Sequence, residues 1–447
     1  MNDRSIECSA ATRPPAPGSG AEGRAHAYRR YATHARAMAC VAAVAALSAC
    51  RLPGQGPTPA PLPSVRAEEA SARGIDLVEL QRRLDLVMQQ AVRDGAFPGG
   101  VALVGSRSGI LARSAAGQLD AADPTVPDVN TLWDLASLTK VVGLTSGVLR
   151  LVQDGRLDLD APVQRYLPTW TGPGKSVVTV RHLLTHSSGL PSWRPLYKEA
   201  TTPAQARALV LATPLDTAPG VRMVYSDLGA ILLGEIVTRV AGVPFNELVT
   251  RDVFAPLAMR ETTWLPSPSK RARIAPTEVD PWRQRHLRGE VHDENAFALG
   301  GIAAHAGLFS SAADLSRLAR MYLQYGQLDG ARVLDSATIA RFTSRPDGSL
   351  SHRALGWEKP SGSNSAGHRM SAEAFGHTGF TGTSLWIDPA QDVFVMLLTN
   401  RVNPTRESRR IGQVRIAVAD AVLGLLQGCA ENAPILECPA SRRYITK

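Results

Sequence analysis

A serine and a lysine three residues apart, Ser137 and Lys140, stand at the start of an apolar run in TLWDLASLTKVVG, Thr131–Gly143. On a helix this spacing stacks a hydroxyl and an amine on one face, one turn apart. That is the geometry a serine nucleophile needs if a lysine is to help remove its proton. Two later stretches carry chemistry of the same kind. Tyr225-Ser226-Asp227 opens the helix-like pattern YSDLGAILLGEIV. A tyrosine hydroxyl near an ammonium loses its proton more readily and can serve as a general base. His377-Thr378-Gly379 lies in FGHTGFTGTSLWIDP, a short Gly-rich β segment. Such a segment can line a cleft with a polar side chain and turn free backbone N–H groups toward an oxyanion. The S-x-x-K spacing is weak by itself, because Ser267-Pro268-Ser269-Lys270 repeats it. That second match sits among prolines with no apolar helical run after it, and it reads as a decoy. Ser137 is distinguished by its company.

In this order and spacing, the three stretches resemble the serine hydrolases of the penicillin-recognising fold. The branch is that of class C β-lactamases, D-Ala-D-Ala carboxypeptidases and related esterases. The resemblance runs from about Leu77 to Leu426 and is supported by VRHLLTHSSGLP. The segment GEVHDENAFALGGIAAHAGLFSSAADL is most similar to the low-molecular-mass penicillin-binding carboxypeptidases. It implies Ser137 as the acylated nucleophile, Lys140 as its helper and a held charge, and Tyr225 as base and then acid. The backbone N–H groups of Ser137 and Phe380 would form the oxyanion hole. Asp227, His377, Thr378, Gly379 and Phe380 would line the substrate site. Two residues depart from the family pattern. Asp227 stands where the pattern has asparagine, and an ionised carboxylate can only accept hydrogen bonds. It would also raise the pKa of Lys140, weakening it as a base and shifting that task to Tyr225. His377 stands where lysine is common, and it is mostly neutral at pH 7. Both departures lower positive potential in the cleft, so carboxylate-bearing substrates are expected to be disfavoured.

Other chemistries lack their motifs. There is no G-x-S-x-G nucleophile elbow and no H-E-x-x-H zinc site. His182 and His186 are four residues apart, but no third ligand accompanies them, and a structural role beneath the cleft is expected. His292 and Asp293 either line the cleft or tie down a loop. His305 reads as a packed or loop-fixing residue, and Trp133 as a ring buried near the helix start. No metal or organic cofactor is required. The net charge is +9, but no Lys/Arg run or aromatic-interleaved basic patch stands out, which argues against nucleic acid as a partner.

The positioning elements read as α+β. A helix is expected over Asp76–Asp94, then a hairpin of Gly99–Ser106 and Ile110–Leu119, then a helix from Ser137 to Asp154. Helix-like segments dominate from Leu157 to Ser344, with an irregular polar section over Pro266–Gly300. Strands return at Thr383–Ile387 and Val393–Asn400, followed by a last helix over Glu407–Gln427. The order suggests an antiparallel sheet built from both chain ends, flanked by helices, with a large helical lobe.

The N-terminus reads as a targeting segment. Arg24, Arg29, Arg30 and Arg36 precede an apolar run, Ala37–Ala49, too short to span a bilayer. It ends in Leu47-Ser48-Ala49-Cys50, similar to a bacterial lipobox with Cys50 as the lipid attachment site. The expected organisation is a signal peptide over 1–49, a Pro/Ala-rich tether over 50–74, the hydrolase domain over 75–428, and a tail over 429–447. Cys429 and Cys438 in the tail could pair in an oxidising compartment. The reading is thus a lipid-anchored hydrolase of the bacterial envelope, facing the periplasm. Its candidate substrates are peptidoglycan stem peptides, then small esters, then β-lactams. The alternative is a non-catalytic envelope-binding protein that keeps the fold.

Overall fold

Strand β1 (Gly99–Gly105) is buried along its whole length, because the sheet is covered on both faces. The alternation of a strand sends neighbouring residues to opposite sides. Ala102 and Val104 pack with Leu80, Leu84 and Met88 of the helix Leu77–Arg93 and with Val418 and Val422 of the helix Ile411–Leu426. Val101 and Leu103 instead enter the larger core shared with the helical lobe. The remaining strands are β2 (Ile110–Gly117), β3 (Phe375–Thr378), β4 (Ser384–Asp388) and β5 (Val393–Thr399). All pair antiparallel in the order β3-β4-β5-β1-β2, so the two chain ends meet where β5 pairs with β1. This is the α+β architecture expected from the sequence.

The computed structural model describes residues 62–428 except 347, 349 and 363. The signal segment, Cys50 and the Cys429/Cys438 pair lie outside the described residues. The tether boundary needs correction within them. Pro63 and Val65 already hydrogen-bond with Ile110 across the β2 edge, and Ala67–Ala72 is helical. The chain therefore packs on the domain well before residue 75. Proline-rich composition suggested a tether, but carbonyl groups of such a stretch can still accept from a free strand edge.

The stretch carrying Ser137 departs from the single regular helix expected over Ser137–Asp154. It begins as a 3-10 turn, Ala136–Leu138, widens into a π-helical segment, Lys140–Thr145, and becomes α-helical over Ser146–Gln153. In the wide segment the Thr145 hydroxyl donates to the Lys140 carbonyl and Ser146 Oγ to that of Val141. Such segments recur at functional sites because they re-aim side chains without ending the helix. In the lobe, the helix Asp227–Ala241 buries nearly its whole length and stops at Gly242 in the left-handed conformation. Its N-cap is Ser226, whose Oγ accepts from Gly229 N and donates to the Pro191 carbonyl. The section over 266–300 holds a short helix, Glu294–Ala298, capped by Asp293, which its polar composition concealed. No single helix among the described residues is long and apolar enough to cross a membrane.

Asn400, at the end of β5, is buried and joins three segments. Its amide donates to the carbonyls of Leu119 and Pro276, and its Oδ1 accepts from Gly99 N. Asn400→Ala leaves the Gly99 amide and the Pro276 carbonyl without these bonds, while the Leu119 carbonyl keeps Asn403 as a donor, and is expected to lower stability by about 2 kcal/mol, read as a lower urea midpoint at unchanged slope.

Candidate active site

Ser137 lies directly after a strained residue. Ala136 has φ +45°, a conformation that costs a non-glycine residue about 1 kcal/mol or more. The turn holds because Asp134, buried, accepts from Ala136 N at 2.8 Å and from His292 N at 2.7 Å. Burial pushes the Asp134 carboxyl above its ordinary range, opposed by these two bonds. One carboxyl thus fastens the Ser137 turn to the segment carrying His292.

Lys140 is 3% exposed, and its ammonium has three partners. Nζ lies 3.1 Å from Ser137 Oγ, 2.9 Å from the His305 carbonyl and 2.6 Å from Asp227 Oδ1. Burial by itself would lower its pKa, but Asp227 and then Tyr225 outweigh burial and raise it well above the usual lysine range. Lys140 is therefore a fixed positive charge. Its Nζ is also 4.9 Å from the centroid of the Tyr225 ring. The Tyr225 hydroxyl is buried, and its interaction with Lys140 adds to the rise of the lysine's pKa.

Tyr225 is set in place by His186. Val224 N donates to the His186 carbonyl, Ser226 N donates to His186 Nδ1, and the two rings lie 4.5 Å apart. Because Nδ1 accepts, the proton of this neutral imidazole sits on Nε2. His186 adopts φ +55°, just past the short helix Val180–Leu184. His182 does not share its environment. It caps that helix by accepting from Thr179 N. The pair is structural, and each Nδ1 is taken by a backbone amide.

His377 projects from the edge strand β3, its ring 5.8 Å from that of Tyr225. Its Nδ1 lies 2.8 Å from the Thr378 carbonyl, so Nδ1 carries the proton and Nε2 is left as an unpartnered acceptor. Burial, then Arg353 and Lys140, hold its pKa well below the usual value. The imidazole is neutral, as expected, but the surroundings are not. The Arg353 guanidinium sits 5.1 Å from the Tyr225 ring centroid, with Glu358 Oε2 at 3.8 Å. The expected fall in positive potential is therefore offset by a cation that no motif marked.

After β3 the chain turns tightly onto the nucleophile segment. Thr381 Oγ1 donates to the Asp134 carbonyl at 2.6 Å and Thr383 Oγ1 to that of Leu135 at 3.0 Å. Gly379 is required here: a Cβ would lie 2.2 Å from the Leu135 carbonyl oxygen and 2.1 Å from Thr383 Oγ1. The carbonyls of Gly379 and Thr383 accept from Arg415, and that of Phe380 from Arg401. With its carbonyls held this way, the turn leaves the Phe380 amide without an acceptor among the described residues, and the Ser137 amide likewise has none. Preorganised, unsatisfied donors of this kind suit a developing oxyanion.

A family model described as Beta-lactamase matches residues 84–419. This chain belongs to the beta-lactamase family. Among its family relatives is a Bacillus subtilis (strain 168) protein named N-acetylmuramyl-L-alanine amidase, 33% identical over 72% of this chain and 80% of its own length. A protein of Escherichia coli (strain K12) named for D-alanyl-D-alanine carboxypeptidase is 31% identical over 62% of this chain and 71% of its own. Two solved structures share the fold. EstCE1, a hydrolase with promiscuous acyltransferase activity, aligns with TM-score 0.64 and 22% identity over 78% of this chain and 99% of that one. A penicillin-binding protein homologue from Caulobacter crescentus aligns with TM-score 0.64 and 20% identity over 77% and 97%.

Of the residues singled out in this beta-lactamase-family chain, Ser137, Lys140, Tyr225, Asp227 and His377 form one cluster, and Thr378, Gly379 and Phe380 continue it. Ser267 stands apart: exposed, it shares a hydrogen bond with Ser269, while Lys270 pairs with Glu261. Trp133 is fully buried. His292 pairs with Glu278 and stacks on Phe380, and Asp293 pairs with His305. The contacts of the VHDEN segment tie its loop down, the second of the two readings weighed for it. Asp134, Arg353 and the positioning role of His186 escaped the sequence reading. Only the HLLTH segment carried any signal for them.

Two histidines face Tyr225 and both are held well below the ordinary imidazole range, chiefly by burial. The pH profile of kcat/KM on a p-nitrophenyl ester should therefore show no histidine step between about pH 6 and 7. A step there that disappears in His377→Gln would contradict the assignment.

Proposed function

We propose that this protein is an acyl-serine hydrolase of the carboxypeptidase- and esterase-like kind, acting on amide bonds of peptidoglycan stem peptides. The observation carrying the reading is the Ser137 hydroxyl beside a lysine whose charge is fixed by Asp227, with the buried hydroxyl-bearing ring of Tyr225 next to that ammonium. The two relatives named for muramyl-alanine amide and D-Ala-D-Ala cleavage support the substrate class.

Tyr225 takes the proton of Ser137 as Oγ bonds to the substrate carbonyl carbon. For this step Tyr225 acts as the phenolate, whose negative charge lies near the ammonium of Lys140 and the guanidinium of Arg353 and passes to the substrate carbonyl oxygen as the proton moves. The carbonyl oxygen, now anionic, is held by the amides of Ser137 and Phe380. Collapse breaks the C–N bond, and Tyr225 returns its proton to the leaving amine. Water then attacks the acyl-serine with Tyr225 again accepting a proton, which passes to Ser137 as the acid leaves. Asp227 keeps Lys140 charged throughout, so the lysine does not act as the base. Small esters rank second, because their turnover needs no carboxylate-binding cation, and β-lactams rank third.

Ser137→Ala should abolish labelling by a fluorophosphonate and lower kcat by about a thousandfold or more, while Ser267→Ala leaves both intact. Labelling that survives in Ser137→Ala would remove the assignment. A folded wild type that never labels would favour a binding protein. In Asp227→Asn the strongest opposition to burial is removed from Lys140, so its pKa falls and the charge is lost at lower pH. The variant should therefore show an alkaline decline in kcat/KM absent from the wild type; an unchanged profile would exclude Lys140 as the fixed cation. The proposal also places the protein in the bacterial envelope, lipid-anchored through Cys50 and facing the periplasm, on the lipobox-like sequence. Radiolabelled palmitate incorporation that persists in Cys50→Ala would refute the anchor.

A further inference from the structure

Three of the four exposed aromatic side chains among the described residues sit on segments that border Ser137 and Asp227. They are Trp193, 45% exposed, Trp282, 42% exposed, and Phe380, 49% exposed. Large aromatic rings left in water are uncommon singly and informative when grouped. Here Trp193 and Trp282 are grouped through Tyr197. Tyr197 lies 6.3 Å from Trp193 and meets Trp282 edge-on at 4.7 Å, and Trp282 meets Phe297 edge-on at 5.9 Å. Arg283 lies 5.8 Å from the Trp282 ring centroid, and the edge-on packing with the exposure of Trp193 and Trp282 leaves part of their ring surface open to a third body.

The wall is tied to the catalytic cluster from both sides. Ser192, next to Trp193, accepts from Asp227 N, and Pro191 accepts from the cap residue Ser226. Arg283, next to Trp282, donates to the carbonyls of Val291 and His292, and His292 binds Asp134 and stacks on Phe380. Asn295 ties the halves together, accepting from Tyr197 N and donating to the Arg194 carbonyl. The rings therefore stand on a hydrogen-bonded frame continuous with the turn that presents Ser137.

The polar groups at the wall narrow its ligand. Lys198 lies 5.7 Å from the Tyr197 ring and is exposed, and Arg285, half exposed, lies 5.9 Å from Phe297. A straight acyl chain is best served by an enclosed, apolar slot. An open wall of ring faces rimmed by donors instead suits a flat body with an apolar face and a polar edge. A pyranose is such a body: its C–H groups form the face, and hydroxyl and N-acetyl groups form the edge. We propose that Trp193, Tyr197 and Trp282 form a sugar subsite that takes the N-acetylated amino sugar of a muropeptide while the attached peptide reaches Ser137. The proposal rests on the stem-peptide reading above and adds the sugar to the recognised substrate. The relative named N-acetylmuramyl-L-alanine amidase has a sugar on the acyl side of the bond its name specifies.

The test is calorimetric and uses Ser137→Ala protein, so turnover does not intrude. N-acetylmuramyl-L-alanyl-D-isoglutamine is compared with the same dipeptide lacking the sugar. The sugar-bearing ligand should bind at least tenfold more tightly. That gain should shrink by tenfold or more in Trp193→Ala and in Trp282→Gln, with unchanged thermal midpoints confirming their fold. Equal affinity for the two ligands overturns the proposal without needing any wall variant. So does a gain that both variants retain, or a larger loss for p-nitrophenyl hexanoate turnover than for sugar binding, which would mark an acyl-chain surface. A sugar-dependent gain in a protein whose Ser137 form hydrolyses no muropeptide would leave the subsite standing and defeat the hydrolase reading instead.

Discussion

Burying the ammonium of Lys140 is the constraint on which the site depends. An isolated charge at that depth would be unfavourable by several kcal/mol, and it persists because Asp227, the His305 carbonyl and Ser137 surround it. Those partners come from the nucleophile segment, the first turn of a lobe helix, and the loop before the Leu308–Ser310 strand. Satisfying one cation therefore fixes the relative position of three elements. The same interaction sets the chemistry. A lysine paired with a carboxylate at 2.6 Å holds its proton, and in the proposed mechanism the tyrosine beside it is the group that exchanges one.

A second constraint acts from the sheet. The β3 edge and the turn after it are drawn against Asp134 and Leu135 by two threonine hydroxyls, while Arg401 and Arg415 hold the outer carbonyls. The approach is close enough that only glycine fits at position 379. Strain at Ala136 and the wide turn at Lys140–Thr145 are the local accommodations that let the nucleophile meet this edge. Lobe and sheet thus each supply half of the cluster, and the site exists only where they meet.

Much of this was legible beforehand because local chemistry and local periodicity encode it. The β1–β2 hairpin, β5, the terminal helices and the helix after Tyr225 fall close to their expected ranges, since each has a period that matches its element. Ser137 could be separated from Ser267 because one precedes an apolar helical run and the other lies among prolines. The capped helix Glu294–Ala298 was hidden, because five residues carry too little periodicity to read. The packing of residues 63–72 onto the domain was hidden as well, because it depends on an edge strand that proline content does not reveal.

By itself the sequence determined the residue types and their order: a serine, a lysine, a tyrosine–aspartate pair and a histidine–glycine turn on segments of the right kind. It also determined that Lys140 would meet a carboxylate rather than an amide. Only the tertiary structure decided the electrostatic balance of the cleft. Arg353 and His186 are distant in sequence from the motifs they serve, and their effects depend on burial and on separations of a few ångströms. Coulomb and desolvation energies change steeply over such distances, and no spacing along the chain encodes them.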